Sequence, residues 1–183
     1  GCGRGEVLNG FLKCGLDAHG IDQNDTAKQN YSNINFKYCD LVKEKIPYED
    51  QYFDVIFSKS LVEHFYYPEK IYQEMHRVLK NGGIIITMTP DWEINYKTFY
   101  EDYTHRTPFS KTSLNDIHLI NGFKDVQIYS FKQLPILWNK NSFIANILKI
   151  LSEITRIFIP NYFKKYKWVR FSKEIILLSV AKK

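Results

Sequence analysis

The stretch Gly1-Cys2-Gly3-Arg4-Gly5 opens the chain, and Gly20-Ile21-Asp22 follows it after a helical pattern. Glycines at alternate positions allow a backbone turn to approach a ligand closely, because no Cβ stands in the way. An acidic residue about twenty positions further on, at the end of a strand, is placed to hold the hydroxyl pair of a ribose. The two features together predict a site for a cofactor that contains a nucleoside.

Helical and strand patterns alternate from this stretch to about residue 130. Helices are predicted over 5–13, from Pro68 to the stop at Asn81-Gly82-Gly83, and over 114–121, and strands over 16–22, 34–40, 53–57, 84–89 and 125–131. Such alternation predicts a Rossmann-like, doubly wound α/β fold with a mostly parallel sheet. Residues 53–57 are expected to form a buried parallel strand. A helical insertion precedes the last strand, 174–181, which is expected to pair antiparallel at or near an edge.

The length of 183 residues predicts a single domain over 1–183, with residues 132–173 as a basic, aromatic insertion. Cys2, Cys14 and Cys39 lack the spacing of a disulfide framework or a zinc site. They are interpreted as reduced thiols of a cytoplasmic protein, and no metal site is expected. The sequence does not indicate an oligomeric state.

Polar residues follow several predicted strands at the point where each strand ends. Asp22 ends the first, Asp40 the second, and Ser58 the third. Ligands of open α/β sheets bind outside the carboxyl ends of the strands, so these side chains are expected to converge on one site. The alternative for Asp22 and Asp40 is a role as helix N-caps.

The motifs Gly1-Cys2-Gly3-Arg4-Gly5, Gly20-Ile21-Asp22, Asp40-Leu41 and Glu63-His64-Phe65 resemble those of class I S-adenosylmethionine-dependent methyltransferases. The stretch from Glu74 to Gly83, Glu-Met-His-Arg-Val-Leu-Lys-Asn-Gly-Gly, is also similar to that family, and the closest subgroup is methyltransferase type 11. The resemblance covers roughly residues 1–90 and implies S-adenosyl-L-methionine as the cofactor.

The resemblance also assigns roles to individual residues. Gly1 and Gly3 would lie against the methionine part of the cofactor, and Asp22 would accept from both ribose hydroxyls. Asp40 would accept from the adenine amino group, and Ser58 would lie near the sulfonium. The complete implied cofactor-binding set is Gly1, Gly3, Gly5, Asp22, Gln23, Asp40, Leu41 and Ser58.

Two histidines are the candidate catalytic residues. His105 lies in the 91–113 segment, where this family builds part of its acceptor pocket, and its reference pKa suits proton transfer near neutrality. His64, with Glu63 beside it, would lie at the mouth of the methyl-transfer site. The alternatives are a histidine that hydrogen-bonds within its loop, for His105, and a polar residue at a helix start, for His64.

These assignments predict an enzyme that transfers a methyl group to a small-molecule, glycan or lipid-linked acceptor. One alternative is a catalytically inactive cofactor-binding or interaction domain. A less favoured one is an NAD-binding oxidoreductase, whose fingerprint requires a glycine where this chain has Glu6.

The resembled family has a strand immediately before its glycine turn, at the centre of the sheet. The chain is therefore expected to be N-terminally truncated, with unpaired edges on the neighbouring strands and weak cofactor binding by the 183 residues alone.

The basic charge is concentrated in the last quarter of the chain. Residues 1–139 carry 15 basic and 18 acidic groups, and residues 140–183 carry 10 basic and 2 acidic groups. An amphipathic helix is predicted over 142–159, followed by aromatic residues mixed with Lys and Arg. The pattern fits a lid or dimer contact, an anionic membrane surface or acceptor bound through 142–173, or, least favoured, a nucleic acid. A location at the inner face of a membrane would follow from the second interpretation.

Overall fold

The computed structural model describes residues 1–138 and 143–183, in which helices and strands alternate. The helices are α1 (Glu6–Lys13), α2 (Thr26–Asn30), α3 (Pro68–Val78), α4 (Trp92–Asn95), α5 (Lys111–Ile120), α6 (Phe143–Phe158) and α7 (Lys167–Lys173). The strands are β1 (His19–Asp22), β2 (Asn35–Tyr38), β3 (Phe53–Lys59), β4 (Leu79–Pro90), β5 (Lys124–Lys132) and β6 (Ile175–Lys182). Short 3-10 turns cover Val62–His64, Phe99–Glu101, Pro135–Leu137 and Asn161–Lys165.

The described strands form two sheets. β1 pairs in parallel with β2, and the second sheet has the order β3-β4-β6-β5. β3 and β4 are parallel, whereas β6 runs antiparallel to both β4 and β5. The Rossmann-like α/β class with an antiparallel last strand is therefore confirmed, and β6 lies one position inside the edge of its sheet.

A cavity of about 120 Å³ lies between β1 and β3. Its lining includes Ile21 on β1 and Val55 and Phe57 on β3. The expectation of a buried strand is wrong for Val55, whose side chain is 52% exposed. Among the described strands β3 pairs with β4 alone, so its other edge and the side chains beside that edge are open to this cavity.

The main hydrophobic core lies where α3 and α5 pack on the four-stranded sheet. α3 begins with Pro68, whose missing N–H would have no partner in the first turn of a helix. Its apolar face buries Tyr72, Met75 and Val78 against residues of α5 and β6 such as Leu114 and Leu177. The candidate catalytic residues follow the carboxyl ends of β3 and β4, two strands that contribute to this core.

The expected stop of α3 at Asn81-Gly82-Gly83 is wrong. The helix ends at Val78, and Leu79 already has the extended backbone of β4. The ammonium group of Lys183 donates to the carbonyl oxygens of His76 and Leu79 at 2.6 and 2.8 Å, which satisfies groups that a helix end leaves without partners. Gly82 instead makes a bend with φ +76° inside β4.

The amphipathic helix expected over 142–159 is α6, and residue 142 lies outside the described residues. In residues 1–138 and 143–183, the helices all lack the combination of length and apolar character that crossing a membrane requires.

Candidate functional site

The glycine turn before α1 has a backbone that favours glycine. Gly3 has φ +54° and Gly5 has φ +82°, and side-chain-bearing residues rarely adopt such values. The N–H of Gly5 donates to the carbonyl oxygen of Cys2 at 3.0 Å, which closes the turn. A Cβ on Gly5 would also lie 3.0 Å from the Cβ of Ala27 on α2. The glycine turn therefore packs closely against α2 at the start of α1.

Asp22, at the end of β1, meets this turn directly. Its Oδ2 accepts from the N–H of Gly3 at 2.8 Å, and its Oδ1 accepts from the N–H of Asn24 at 3.0 Å. A carboxylate oxygen has two lone-pair sites, so each oxygen can accept one more hydrogen bond. Asp22 is thus fixed beside the glycine turn and can still accept from a pair of hydroxyl groups.

Asp40 lies at the same edge of the sheet as Asp22. Parallel pairing sets Asp22 opposite Tyr38, and the N–H of Cys39 donates to the carbonyl oxygen of Asp22 at 2.9 Å. The Asp40 carboxylate accepts from the N–H of Val42 at 3.0 Å and from Lys43 Nζ at 2.9 Å. The hydrogen bond from Lys43 lowers the pKa of Asp40, which keeps this acceptor ionised.

The N-cap alternative does not hold for Asp22 and Asp40. Each side chain instead closes a local turn by accepting from the N–H two residues further on, at Asn24 and Val42. Residue Asp25, not Asp22, precedes α2.

The other expected cofactor residues fall into two groups. Gly1, Leu41 and Ser58 line the cavity between β1 and β3. Ser58 is buried, and its Oγ has no hydrogen-bond partner in the described part of the chain. Gln23 is exposed at the turn after β1. An unpaired buried hydroxyl at the end of β3 is available to a polar group of a ligand.

The candidate catalytic residues lie together where β3 and β4 end. The N–H groups of Arg106 and Thr107 donate to the carbonyl oxygen of Glu63 at 2.8 and 3.0 Å, which ties the 91–113 segment to the turn Val62–His64. As a result, the rings of His64 and His105 lie 4.8 Å apart between centroids. The sequence predicted both histidines at this site, and the structure brings them together.

Hydrogen bonds fix the tautomers of both rings. Thr104 Oγ1 donates to Asp102 Oδ1 at 2.6 Å, so it accepts from His64 Nδ1 at 2.9 Å. His105 Nδ1 lies 2.6 Å from the carbonyl oxygen of Phe99, which can only accept. In the neutral form, each ring therefore carries its proton on Nδ1 and leaves Nε2 free to take another.

The environment also sets the charge states at this site. Burial, and then the nearby charge of His105, lowers the pKa of His64, so His64 is neutral at physiological pH. The hydrogen bond from the Thr104 hydroxyl lowers the pKa of Asp102, which is an anion. Asp102 Oδ2 lies 3.9 Å from His105 Nε2 and would stabilise a protonated His105.

Glu63 is a fully buried carboxyl group beside the two histidines. Its Oε2 accepts from Thr89 Oγ1 at 3.1 Å, and its Oε1 has no partner among the described residues. Burial raises the pKa of Glu63 to about 7. The sequence placed Glu63 here through the Glu-His motif, but it gave no sign of the burial or of the altered pKa.

Glu63, His64 and His105 each offer a ligand atom within 4.8 Å of the others, and in the described ranges this is the group that could hold a metal ion. The absence of a metal site stays a prediction. Asp102 and Thr104 were not singled out by sequence reasoning, because their role depends on which side chains the 91–113 segment brings together. In the sequence, the spacing of Asp102, Thr104 and His105 is only a weak signal for this hydrogen-bonded group.

Residues 1–87 match the family model of the methyltransferase domain. This match supports the predicted assignment to the class I S-adenosylmethionine-dependent methyltransferases. A solved methyltransferase from Archaeoglobus fulgidus, described as S-adenosylmethionine-dependent, covers the whole chain with a TM-score of 0.70 at 23% identity, and 83% of that structure is matched. This likeness concerns the fold.

Two curated relatives of the methyltransferase act on unlike acceptors according to their names. YxjB of Bacillus subtilis, named for 23S rRNA (guanine-N(1)-) methylation, is 32% identical over 62% of this chain and 41% of its own length. The sterol 4-C-methyltransferase strm-1 of Caenorhabditis elegans is 26% identical over 57% of this chain and 35% of its own length. The chain thus spans less than half the length of these relatives.

S-adenosylmethionine is the cofactor of this methyltransferase, and the residues present fit it. The left-handed glycine turn admits a ligand against the backbone, and Asp22 and Asp40 offer charged acceptors at one sheet edge. The unpaired hydroxyl of Ser58 lies at the end of β3, between these acceptors and the histidines in chain order. Which of these residues touches the cofactor stays a prediction.

Proposed function

We propose that this methyltransferase transfers the methyl group of S-adenosylmethionine to a hydroxyl or amine of a small-molecule, glycan or lipid-linked acceptor. The observation that carries the proposal is the contact between Gly1 and Leu61, where a Cβ on Gly1 would lie 2.6 Å from Leu61 Cδ1. Leu61 directly precedes the turn that holds Glu63 and His64. The glycine turn and the acid-base groups therefore share one site.

The cofactor supplies an activated methyl group when bound, so the protein has to align the acceptor and remove its proton. We assign proton removal to Nε2 of His105. Its Nδ1–H is held by the carbonyl of Phe99, and this fixes the ring with the Nε2 lone pair available. The proton would move from the acceptor to Nε2, and the Asp102 carboxylate 3.9 Å away would stabilise the resulting cation.

His64 and Glu63 complete the site as groups that position the acceptor. His64 is held by Thr104 and stays neutral, so its Nε2 can accept a hydrogen bond from the acceptor. Glu63 can carry a proton near neutral pH and could then donate from its unpaired Oε1. Both groups favour an acceptor with several polar groups, such as a glycan or a headgroup.

The relatives do not identify the acceptor, since one is named for an RNA base and another for a sterol carbon. A nucleic-acid acceptor is the less favoured alternative. Residues 1–139, which hold the site, carry 15 basic and 18 acidic groups. A net negative surface around the site would repel a phosphate backbone.

The proposal includes a location in the cytoplasm, at the inner face of a membrane when the acceptor is lipid-linked. Its support is the three free thiols, Cys2, Cys14 and Cys39, which are typical of a reducing compartment. The excess of basic residues over 140–183 supports the membrane part.

The proposal also includes a strand that is N-terminal to Gly1 and fills the space between β1 and β3. Both strands border the apolar cavity, and Gly1 itself is part of its lining. A chain that continued backwards from Gly1 would therefore enter this space. Such a strand would cover the open edges and give the cofactor site its missing wall.

The test is transfer of label from S-adenosylmethionine, labelled in the methyl group, to lipid, water-soluble and RNA fractions of a cell extract. The full-length protein is compared with the His105→Asn variant, and binding of S-adenosylhomocysteine is measured for both. We expect product in the lipid or water-soluble fraction, and a decrease of about 10²-fold or more for the variant at unchanged cofactor affinity.

Three outcomes would contradict parts of the proposal. Equal rates for both proteins would reject His105 as the base. Labelled RNA without other product would reject the acceptor class. Tight cofactor binding without product in any fraction would favour the inactive cofactor-binding domain.

A further inference from the structure

The apolar face of α6 points outward. Phe143 is 79% exposed, Ile150 62% and Phe158 73%, although residues of these types are usually buried. The exposed apolar side chains recur with helical spacing, so they form one continuous stripe. The stripe consists of Phe143, Ile144, Ile147, Ile150, Leu151, Ile154, Ile157 and Phe158. The interpretation of a lid that packs its apolar face on the domain is therefore wrong for α6.

The opposite face of α6 holds the helix to the protein through small and polar residues. Ala145 and Ser152 are buried on this face. Ser152 Oγ accepts from Lys132 Nζ at 3.1 Å, and Thr155 Oγ1 accepts from Trp168 Nε1 of α7 at 3.0 Å. These contacts fix the rotation of the helix, so the outward position of the stripe follows from how α6 is attached.

The segment that carries the stripe is strongly basic. Residues 143–173 carry seven basic side chains and one acidic side chain. Exposed aromatic side chains flank the helix at Trp138, Tyr162 and Tyr166. An apolar helix face in a basic segment that also carries amphipathic aromatic rings is typical of a helix that lies in a membrane interface.

We propose that the stripe on α6 inserts into the surface of a bilayer that contains anionic lipids. The 16 residues of α6 extend over about 24 Å, and the stripe would lie parallel to the membrane plane. A second copy of the chain is the less favoured occupant, because pairing two such faces would bring two strongly positive segments together. An anionic lipid surface matches both the apolar stripe and the net positive charge of residues 143–173.

The membrane-facing segment is connected to the acceptor site. Lys164 Nζ lies 3.3 Å from Glu101 Oε2, and Glu101 belongs to the same 3-10 turn as Phe99. The carbonyl oxygen of Phe99 holds the ring of His105. A membrane-bound acceptor would thus reach His105 along a short path. This acceptor assignment rests on the proposed function, whereas the lipid contact does not.

The test is sedimentation of the full-length protein with vesicles of phosphatidylcholine, alone or mixed with phosphatidylglycerol. The stripe variant carries Ile150→Glu and Ile154→Glu. The control variant carries Ile120→Glu, because Ile120 is 79% exposed on a different helix, α5. Since all three positions are exposed, thermal unfolding is expected to be unchanged, and measuring it checks this.

We expect the wild type and the control to bind the mixed vesicles and to lose affinity between about 0.1 and 0.5 M salt. The stripe variant is expected to bind about 10-fold or more weakly. Absence of vesicle binding by the wild type would overturn the proposal. Equal binding of the stripe variant would overturn the role of α6.

Two further outcomes would also overturn the proposal. A wild type that dimerises in solution, while the stripe variant is monomeric, would assign the stripe to a second copy. Binding to RNA that competes with vesicles and depends on the stripe would assign it to nucleic acid. Vesicle binding is measured without cofactor or acceptor, so failure here is distinct from failure of methyl transfer.

Discussion

The backbone N–H of Gly3 donates a hydrogen bond of 2.8 Å to Oδ2 of Asp22. This bond joins the turn at the start of α1 to the end of β1, and the same carboxylate is predicted to accept from the ribose hydroxyls. Replacement Asp22→Ala removes both the anchor of the turn and a charged acceptor. We expect the affinity for S-adenosylhomocysteine, measured by calorimetry, to fall about 10- to 100-fold.

The matched control is Asp25→Ala, in the same loop. The Asp25 side chain is exposed and accepts from Gln29 Nε2 at 2.7 Å. Its replacement removes the same charge without touching the glycine turn, so cofactor affinity is expected to stay within about twofold. An equal loss in both variants would show that general charge, rather than the Gly3–Asp22 contact, supports binding.

Glu63 predicts an unusual dependence of stability on pH. Its folded-state pKa is raised to about 7, whereas an unfolded glutamate titrates near 4.3. At low pH both states hold the proton. Between about pH 4.3 and pH 7 the unfolded state ionises while the folded state keeps its proton, so stability falls over this range by about 3–4 kcal/mol.

The variant Glu63→Gln isolates this effect, because its side chain has nearly the same shape and never ionises. We expect it to be more stable than the wild type at pH 8 and to lose most of that advantage near pH 4.5, as measured by urea unfolding. A difference between the two proteins that does not change with pH would contradict the buried titration.

The parts of the fold that the sequence predicted are those set by local pattern. Runs of β-branched and aromatic residues located β3 and β4, and the helical spacing of apolar residues after Pro68 located α3. The end of α3 was missed because Lys183, more than a hundred residues away, satisfies the terminal carbonyls. The outward direction of α6 was missed for a similar reason, since periodicity reveals a stripe but not which face is attached.

Sequence reasoning could place those site residues whose location depends only on the strand that they follow. Asp22 and Asp40 follow strands, so their convergence could be expected. The contact between Thr104 and His64 depends on how the 91–113 segment folds back on the turn Val62–His64. A sequence without periodicity in that segment does not specify such a contact.

Thr104 positions the acid-base groups through its hydroxyl. The variant Thr104→Val keeps the shape but loses the bonds to Asp102 and His64. Because the lost hydrogen bond lowers the pKa of Asp102, that pKa should rise. We expect kcat of the transfer assay to fall about 10-fold, with a shifted acid limb of its pH profile and unchanged cofactor affinity. Thr98→Val is the control, and an equal effect there would contradict a specific role.

Replacement of Arg77 is expected to lower the stability of the protein strongly. Its guanidinium donates to Glu74 at 2.7 and 2.9 Å, to Asp50 at 2.8 Å, and to the carbonyls of Ile46 and Tyr48 at 2.9 Å each. Arg77→Ala leaves the mostly buried Glu74 carboxylate without this partner. We expect a loss of about 2–4 kcal/mol in urea unfolding, and Arg77→Lys to recover less than half of it.

Arg4→Ala is the control for Arg77. Arg4 is 75% exposed, and its pair with Glu6 at 3.6 Å should contribute less than about 0.5 kcal/mol. A similar effect of both substitutions would contradict the network as the source of stability.

The open space between β1 and β3 predicts that residues upstream of Gly1 strengthen cofactor binding. The 183-residue chain is compared with a protein extended by the preceding residues of its own gene. In the part of the short chain that the structure describes, amides on the outer edge of β3 lack a strand partner. We therefore expect fast hydrogen exchange there, weak binding of S-adenosylhomocysteine and a tendency to aggregate. The extension should slow hydrogen exchange of the amides in both β1 and β3 and raise the affinity for S-adenosylhomocysteine about 10-fold or more. Tight, stoichiometric binding by the short chain, with no added protection in the extended one, would show that the cavity is complete as it stands.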